Sequence, residues 1–241
     1  MKVKVILSFV FVLLFTISCG TVNNNDSNNS NLVAYYPFSG NAFDHSIQKN
    51  NGIVNGAELT TDRFGNKNSA YYFNGIDDYI LIPDDNSLSP SNQQLTIALW
   101  VNVSNLTDRY LIYKGSDQYN REYAMGITIN SLASMHINNQ GMWNTGQIGL
   151  ASNSIIKSGE WFFLVGTWNG KELKLYVNGS LENTLKTTAV IDNFDSDLFI
   201  GTYGGDISKY AFKGIIDDIR IYNYSIDSQK VLKLYHENGW K

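Results

Sequence analysis

The acidic residues are the first candidates for chemistry, because paired carboxylates can hydrolyse a glycosidic bond from positions about 5 to 10 Å apart. On a strand, such a pair requires acidic residues two or four positions apart on one face. No predicted strand carries that spacing, and Asp217 and Asp218 are adjacent, so regular alternation directs their side chains to opposite faces. Of the two, Asp217 is predicted to face the core, beside Ile215 and Ile219. A catalytic carboxylate pair is therefore not predicted.

No other catalytic or zinc-binding pattern stands out. A serine nucleophile needs an activating context such as Gly-x-Ser-x-Gly, which does not occur, and the single cysteine is Cys19. The three histidines, His45, His136 and His236, lack the close spacing of zinc ligands. The sequence therefore predicts a protein that is not an enzyme.

Aromatic and polar side chains suited to sugar binding are concentrated in two stretches. Sugars are held by aromatic rings against their C–H patches and by hydrogen bonds from Asn, Asp and Arg. Residues 117–145 are rich in these types, and the loop 203–210 adds two tyrosines. The alternative is that these rings only pack the core or its rim. The candidate ligand-binding residues are Trp143, Tyr203, Tyr119, Arg121, Asn139 and Tyr210.

The composition indicates that β-strands must position these side chains. The 241 residues are 43% hydrophobic and 13% aromatic, with 20 glycines and one cysteine, which is typical of a strand-rich single domain without disulfides. Charged residues make up 17% and the formal net charge is -4. Because no basic field is available to attract phosphates, nucleic acid is not a predicted partner.

The N-terminal residues predict export and membrane anchoring. A short cationic start is followed by an apolar run over 5–17, which has the length of a signal sequence. The segment 16–20, Thr-Ile-Ser-Cys-Gly, resembles the bacterial lipobox, although Thr16 departs from the usual leucine. We predict a signal peptide over 1–19, lipidation at Cys19 and a flexible Asn/Ser-rich tether over 20–31. The alternative is an ordinary secretory signal; either way the chain is predicted to be exported, and with the anchor it lies at the cell surface or in the periplasm.

Short apolar runs separated by turn residues predict a sandwich. The Asn-Gly pairs at 169–170 and 178–179 predict two type I′ turns that connect three strands between residues 159 and 185. Only 227–236 has helical periodicity. Further strands are predicted at 32–38, 70–73, 79–82, 95–103, 110–114, 123–129, 134–138, 198–201 and 212–222.

Several segments together carry a family resemblance. They include LVAYYPFSGNAFD at 32–44, FNGIDDYI at 73–80, LTIALWV at 95–101, LKLYVNG at 173–179 and GIIDDIRIYN at 214–223. In this order they resemble the laminin-G-like members of the concanavalin A-like lectin/glucanase superfamily, over 32–241. The resemblance implies an all-β, two-sheet antiparallel jelly roll with a short C-terminal helix. It implies no particular ligand, because this fold hosts lectins, adhesion modules and glycosidases.

The same resemblance implies a structural calcium ion. Relatives often hold one between an aspartate of the last strand and oxygens of the first loop, which here are Asp217, Asp44 and Asn41. The alternative is that Asp217 pairs with Arg220 or Lys213 while Asp44 only shapes a turn.

Together these observations predict a non-catalytic, surface-anchored, lectin-like carbohydrate-binding module. A protein-interaction or adhesion module of the same fold is the alternative, and a glycoside hydrolase is a weaker one. The predicted partners are a glycan or polysaccharide, or else a protein, together with the membrane through the lipid on Cys19.

Overall fold

The computed structural model describes residues 31–107, 109–117, 120–138 and 148–241. Within these ranges the chain forms fifteen strands, one α-helix and two short 3₁₀ turns. The strands are β1 (Leu32–Tyr36), β2 (Ile53–Asn55), β3 (Glu58–Thr60), β4 (Ala70–Asn74), β5 (Tyr79–Ile82), β6 (Leu95–Val103), β7 (Arg109–Gly115), β8 (Arg121–Ile127), β9 (Leu132–Ile137), β10 (Ile148–Ile155), β11 (Trp161–Trp168), β12 (Glu172–Val177), β13 (Ser180–Lys186), β14 (Leu198–Ile200) and β15 (Lys213–Tyr222). The helix α1 is Ser228–Tyr235, and the 3₁₀ turns are Asn86–Leu88 and Glu237–Gly239.

The strands of the described chain form two antiparallel sheets. The first has the order β13-β12-β11-β6-β15-β4-β3, with β1 also paired to β15, and the second has the order β10-β9-β8-β7-β14-β5-β2. A continuous apolar core lies between the sheets. The predicted two-sheet jelly roll is confirmed. The outer faces of the two sheets do not contribute to this core and can hold other clusters of side chains.

The C-terminal helix covers the outer face of the first sheet. Val231 and Leu234 of α1 pack with Trp100 and Tyr222 in a second apolar cluster, separate from the core between the sheets. The Asp227 side chain accepts a hydrogen bond of 2.8 Å from the Lys230 N–H and caps the helix. The predicted short helix is therefore confirmed. With eight residues, it is the longest helix described, and none in the described ranges is long and apolar enough to cross a membrane.

The two Asn-Gly pairs form different turns. Asn178 and Gly179 both have positive φ, at 50° and 80°, and join β12 to β13 as the predicted two-residue type I′ turn. In the other pair only Gly170 has positive φ, and three residues separate β11 from β12. There the Asn169 side chain accepts hydrogen bonds from the backbone N–H groups of residues 171 and 172. The prediction of a second type I′ turn was wrong, because this side chain organises a longer loop.

Strand β15 changes its neighbour halfway along its length. Its first half pairs with β4 and its second half with β1, while β6 remains on its other side. The register against β6 shifts between Asp217 and Arg220, and Asp218 has a φ of 54°. This is a β-bulge, which interrupts the alternation of side chains at the point where the neighbour changes.

We expect Gly201→Ala to destabilise the fold by about 2 to 3 kcal/mol. Gly201 follows β14 with a φ of 85°, and a Cβ there would lie 2.4 Å from the buried Phe73 ring. Gly65→Ala is the matched control, since Gly65 has a φ of 87° but a Cβ added to it would have no atom within 4 Å. Urea unfolding should show a loss of about 1 kcal/mol for the control. Equal losses for both variants would contradict the packing contribution.

The predicted signal peptide over 1–19, the lipidated Cys19 and nearly all of the tether over 20–31 lie outside the described residues. They remain predictions from the sequence. The described fold begins with Asn31 and enters β1 directly.

Candidate functional site

Four tyrosines meet on the outer face of the second sheet and are named here the tyrosine cluster. Tyr110 and Tyr113 lie on β7, whereas Tyr203 and Tyr210 lie in the loop after β14. Ring centroids are 4.9 Å apart for Tyr110 and Tyr113, 5.3 Å for Tyr113 and Tyr203, and 5.6 Å for Tyr203 and Tyr210. The two inner members, Tyr113 and Tyr203, are buried and the other two are half-buried. The cluster therefore has a packed base and an accessible edge.

A bulge in β7 places two of these rings together. Tyr110 and Tyr113 are three residues apart, so regular alternation would direct them to opposite faces of the sheet. The register of β7 against β8 shifts between Tyr110 and Ile112, and the extra residue, Leu111, packs into the core with Ile112. Both tyrosines consequently face outward.

Arg121 lies beside the tyrosine cluster at the start of β8. Its Nη1 donates a hydrogen bond of 3.1 Å to the Tyr110 hydroxyl, and its Cζ lies 5.8 Å from the ring centroid of Tyr113. Arg121 pairs with Gly115, where a Cβ would lie 2.7 Å from the Arg121 Cα. Glycine is therefore required for this approach. The arginine is only 2% exposed, although it has no ion-pair partner within the described residues.

Small and neutral residues continue the same face beyond the tyrosines. Ala124, His136 and Gly149 lie side by side on β8, β9 and β10. A Cβ at Gly149 would lie 2.3 Å from the His136 Nδ1, so only glycine leaves room for the imidazole there. Burial, together with the positive charge of Arg121, lowers the pKa of His136 to about 3, so this histidine is neutral at physiological pH. The three residues beside the cluster are therefore uncharged, and two of them have little or no side chain.

Three of the predicted ligand-binding residues converge in this arrangement. Arg121 and Tyr210 each contact Tyr110, and Tyr203 packs against both Tyr110 and Tyr113. Sequence reasoning missed Tyr110 and Tyr113, because period-two alternation separates them; only the bulge brings them to one face. The other three predicted residues lie outside the described ranges and their roles stay predictions: Tyr119, Asn139 and Trp143.

Asp44 organises the first loop through four hydrogen bonds. Its Oδ1 accepts from the backbone N–H groups of Tyr35 and Ser46, at 2.8 and 2.7 Å. Its Oδ2 accepts from the Ser46 hydroxyl and the Asn50 N–H, at 2.7 and 2.8 Å. Asn41 accepts from the N–H two residues later. Both side chains stabilise turns by accepting hydrogen bonds from the backbone. For Asp44 this is the turn-shaping role given above as the alternative to calcium binding.

The acidic pair of β15 faces outward, so the prediction that Asp217 lies on the core side was wrong. Asp217 is opposite Trp100 of β6, which packs beneath α1, whereas Ile219 points into the core. Because of the bulge, Asp218 reaches the same side. Arg63, from the loop between β3 and β4, bridges them: its Nη1 is 2.5 Å from Asp217 Oδ2 and its Nη2 is 2.9 Å from Asp218 Oδ2. The predicted divergence of adjacent strand residues does not apply at a bulge.

These charges form a network with the C-terminal segment. Arg220 lies 3.3 Å from the Asp218 carboxylate and 2.6 Å from the Glu237 carboxylate. Burial and repulsion from Asp218 raise the pKa of Asp217 to about 8, more than the nearby Arg63 lowers it. Although burial opposes it, the attraction of Arg220 and then Arg63 holds the pKa of Asp218 below its usual range. With Asp217 protonated, the two cations of the network, Arg63 and Arg220, face two anions, Asp218 and Glu237. The charges within the network then balance.

A cleft of about 1340 Å³ opens beside this network, between α1 and the loop that carries Arg63. We name it the Arg63 cleft. The Arg63 guanidinium bridges Asp217 and Asp218 beside this cleft, and Asp44 accepts from N–H and O–H donors, so the residues as arranged do not fit a calcium ion bound by Asp44, Asn41 and Asp217. Nor do the described residues contain a group of three or more His, Cys, Asp or Glu placed to hold a metal. Calcium stays a prediction from the family resemblance.

The acidic pair is also poorly arranged for glycoside hydrolysis. That reaction needs two carboxylates on either side of the scissile bond. Here the guanidinium of Arg63 bridges Asp217 and Asp218, and its Cζ lies 4.5 Å from the ring centroids of both Phe64 and Trp100. The charge network can instead fix the C-terminal segment to the sheet, because Arg220 of β15 contacts Glu237. The tyrosine cluster with Arg121 is therefore the better candidate for a binding site.

Comparison with known proteins finds one family match and several structures of similar fold. A sequence model described as "Concanavalin A-like lectin/glucanases superfamily" matches residues 73–232. No curated protein matches the sequence. Among solved structures, domain 4 of the extracellular arabinanase AbnA from Geobacillus stearothermophilus, in complex with arabinotriose, is similar with a TM-score of 0.69 and 20% identity, over 85% of this chain and 98% of that chain.

Two toxin domains are also similar in structure. The binding domain of Paraclostridial Mosquitocidal Protein 1 gives a TM-score of 0.69 at 18% identity, over 86% of this chain and 52% of that chain. The binding domain of botulinum neurotoxin DC, in complex with rat synaptotagmin II, gives 0.65 at 17% identity, over 87% and 52%. The chain thus spans about half of these toxin domains. At these identities the similarity shows the fold alone.

Proposed function

Because the chain belongs to the concanavalin A-like lectin/glucanases superfamily, we propose that it is a non-catalytic carbohydrate-binding module whose ligand lies against the tyrosine cluster. The observation that carries this proposal is the convergence of four tyrosines and Arg121 on one outer sheet face. Tyrosine rings bury the C–H patches of a sugar, and guanidinium N–H groups fix its orientation. The arabinotriose complex of the similar arabinanase domain supports a sugar as the class of ligand.

The cluster is built to hold its accessible rings rigidly. The Tyr113 hydroxyl donates a hydrogen bond of 2.5 Å to the Asp117 carbonyl, which fixes the inner ring. Tyr203 packs edge-on against Tyr113 and Tyr210, and burial raises its pKa. A sugar that stacks on the half-buried Tyr110 or Tyr210 therefore meets rings already held in place. Such preorganisation lowers the entropy lost on binding.

The proposal includes display outside the cell. The predicted lipid on Cys19 would anchor the chain in a membrane, and the Asn/Ser-rich tether over 20–31 would hold the module away from the lipid surface. Several of the similar structures come from extracellular or toxin binding domains, which supports an exported protein. A surface module of this kind would capture polysaccharide without altering it.

We expect Tyr110→Ala and Tyr210→Ala each to weaken polysaccharide binding by about tenfold, because each removes a stacking surface. Affinity electrophoresis of the purified chain in gels containing arabinan or other polysaccharides measures this. Tyr72→Ala is the matched control, since Tyr72 is half-buried on the first sheet and should leave binding unchanged. If no polysaccharide retards the wild type, or if both cluster variants bind as the wild type does, the proposed site is wrong.

A protein-interaction or adhesion module is the second candidate. An apolar row continues from the tyrosine cluster across β14, β5 and β2, through Phe199, Leu81 and Ile53. Ile53 is 52% exposed, and an exposed apolar row suits a flat protein partner better than a sugar. The retardation experiment separates the candidates, because a protein-binding row would give no retardation by any glycan. A glycoside hydrolase is the weakest candidate, since the two carboxylates beside the Arg63 cleft are bridged by a guanidinium group.

A further inference from the structure

Arg121 has an unused hydrogen-bonding edge. Of its three guanidinium nitrogens, Nη1 donates to Tyr110, but Nε and Nη2 have no hydrogen-bond partner within the described chain. Nε and Nη2 lie on the same edge of the planar guanidinium, the edge that donates two parallel hydrogen bonds to a carboxylate. The side chain is 2% exposed, so water does not compensate for the missing acceptors.

The other two buried arginines show how unusual this arrangement is. Arg63 and Arg220 each contact two carboxylates at 2.5 to 3.3 Å. Arg121 has no carboxylate partner in the described ranges and is instead surrounded by tyrosine rings and the neutral His136. A buried cation without a counter-ion is costly to the folded protein. A ligand that supplied the anion would recover that cost.

We infer that the ligand is an acidic carbohydrate whose carboxylate binds the free edge of Arg121, and this inference rests on the function proposed above. A uronate or sialate combines a ring that can stack on Tyr110 or Tyr210 with a planar carboxylate that matches the guanidinium edge. A neutral sugar can offer hydroxyl acceptors but leaves the charge of Arg121 unbalanced.

The test compares acidic polymers with their neutralised forms. The purified full chain is run in affinity gels that contain polygalacturonate, alginate or polysialic acid, each beside its methyl-esterified or carboxyl-reduced form. We expect at least one acidic polymer to bind about tenfold or more tightly than its neutral counterpart. Arg121→Met, which keeps length without charge, should abolish that preference, and Arg121→Lys should retain only part of it because an ammonium cannot bind bidentately.

Lys209→Gln is the matched control for diffuse positive charge, since Lys209 is exposed. It should keep the preference for the acidic form. Equal binding of acidic and neutral forms by the wild type overturns the acidic inference but leaves a carbohydrate-binding module in place. Retardation by no polymer overturns both. If Arg121→Met is shown by circular dichroism to be unfolded, the wild-type comparison of each acid with its neutral form decides alone.

Discussion

Replacing Arg63 with alanine is expected to lower the free energy of unfolding by about 3 to 5 kcal/mol. The side chain is 2% exposed and bridges Asp217 and Asp218, while its guanidinium lies 4.5 Å from the ring centroids of both Phe64 and Trp100. The substitution therefore removes a counter-charge of the ionised Asp218, a hydrogen-bond donor to Asp217 and a planar group that fills the space between two rings. Urea unfolding followed by tryptophan fluorescence measures the loss.

The control for this loss is an ion pair on the solvent-exposed surface of the protein. Lys157 and Glu160 are 3.5 Å apart but 68% and 56% exposed, so Lys157→Ala should change the free energy of unfolding by less than about 0.5 kcal/mol. Arg63→Lys should fall between the two, because lysine keeps the charge without bridging both carboxylates. A loss below about 1 kcal/mol for Arg63→Ala would mean that the network does not stabilise the fold.

The second large effect is a dependence of stability on pH that originates in Asp217. Its pKa is raised in the folded protein to about 8, from an ordinary value of 3.8. Below about pH 4 the folded and unfolded states both carry the proton, and the contribution is at its maximum. Between about pH 4 and pH 8 only the unfolded chain loses the proton, so the free energy of unfolding falls as pH rises. Above that window the contribution no longer changes.

Asp217→Asn should remove this dependence, because an amide imitates the protonated acid and can still accept a hydrogen bond from Arg63. We expect the variant to match the wild type near pH 4 and to exceed it by about 2 to 5 kcal/mol at pH 8. His136, whose pKa is lowered, and Glu122, whose pKa is raised by burial, also make the stability depend on pH. They are common to both proteins, so the difference between the two unfolding curves isolates Asp217.

Asp218→Asn is the control with the opposite expectation. The pKa of Asp218 is lowered, so this group is ionised in the folded protein, and its loss leaves Arg220 and Arg63 with less negative charge. The variant should be less stable than the wild type at pH 8. If Asp217→Asn and Asp218→Asn have the same effect at that pH, the two carboxyl groups do not differ in protonation as described.

The fold class was predictable because it depends on local repetition. Leu173, Leu175 and Val177 alternate with polar or outward residues, and all three point into the core. The Asn-Gly pair at 178–179 specified a two-residue turn for the same reason, since both backbone conformations follow from two adjacent residues. The short strands β2 and β3 were missed, because three residues are too few for a periodicity to be seen. The strand β10 was missed for a different reason, since most of its residues are polar or exposed.

The site residues were predictable by type but not by position. Arg121, Tyr203 and Tyr210 were selected as residues that bind sugars, and the fold brings them to one face. Their neighbours Tyr110 and Tyr113 could not be assigned to that face. The extra residue in β7 can be recognised only when β7 is paired with β8, and the sequence of β7 alone does not contain that pairing.

Residue type and apolar periodicity predicted most of the strands, the C-terminal helix and the classes of residue available for binding. The tertiary structure set which side chains share a face at the bulges on β7 and β15. It also supplied Arg63 to the acidic pair from a position 154 residues away. A bulge is a mismatch between two paired strands, and a single strand's alternation contains no information about the register of its neighbour.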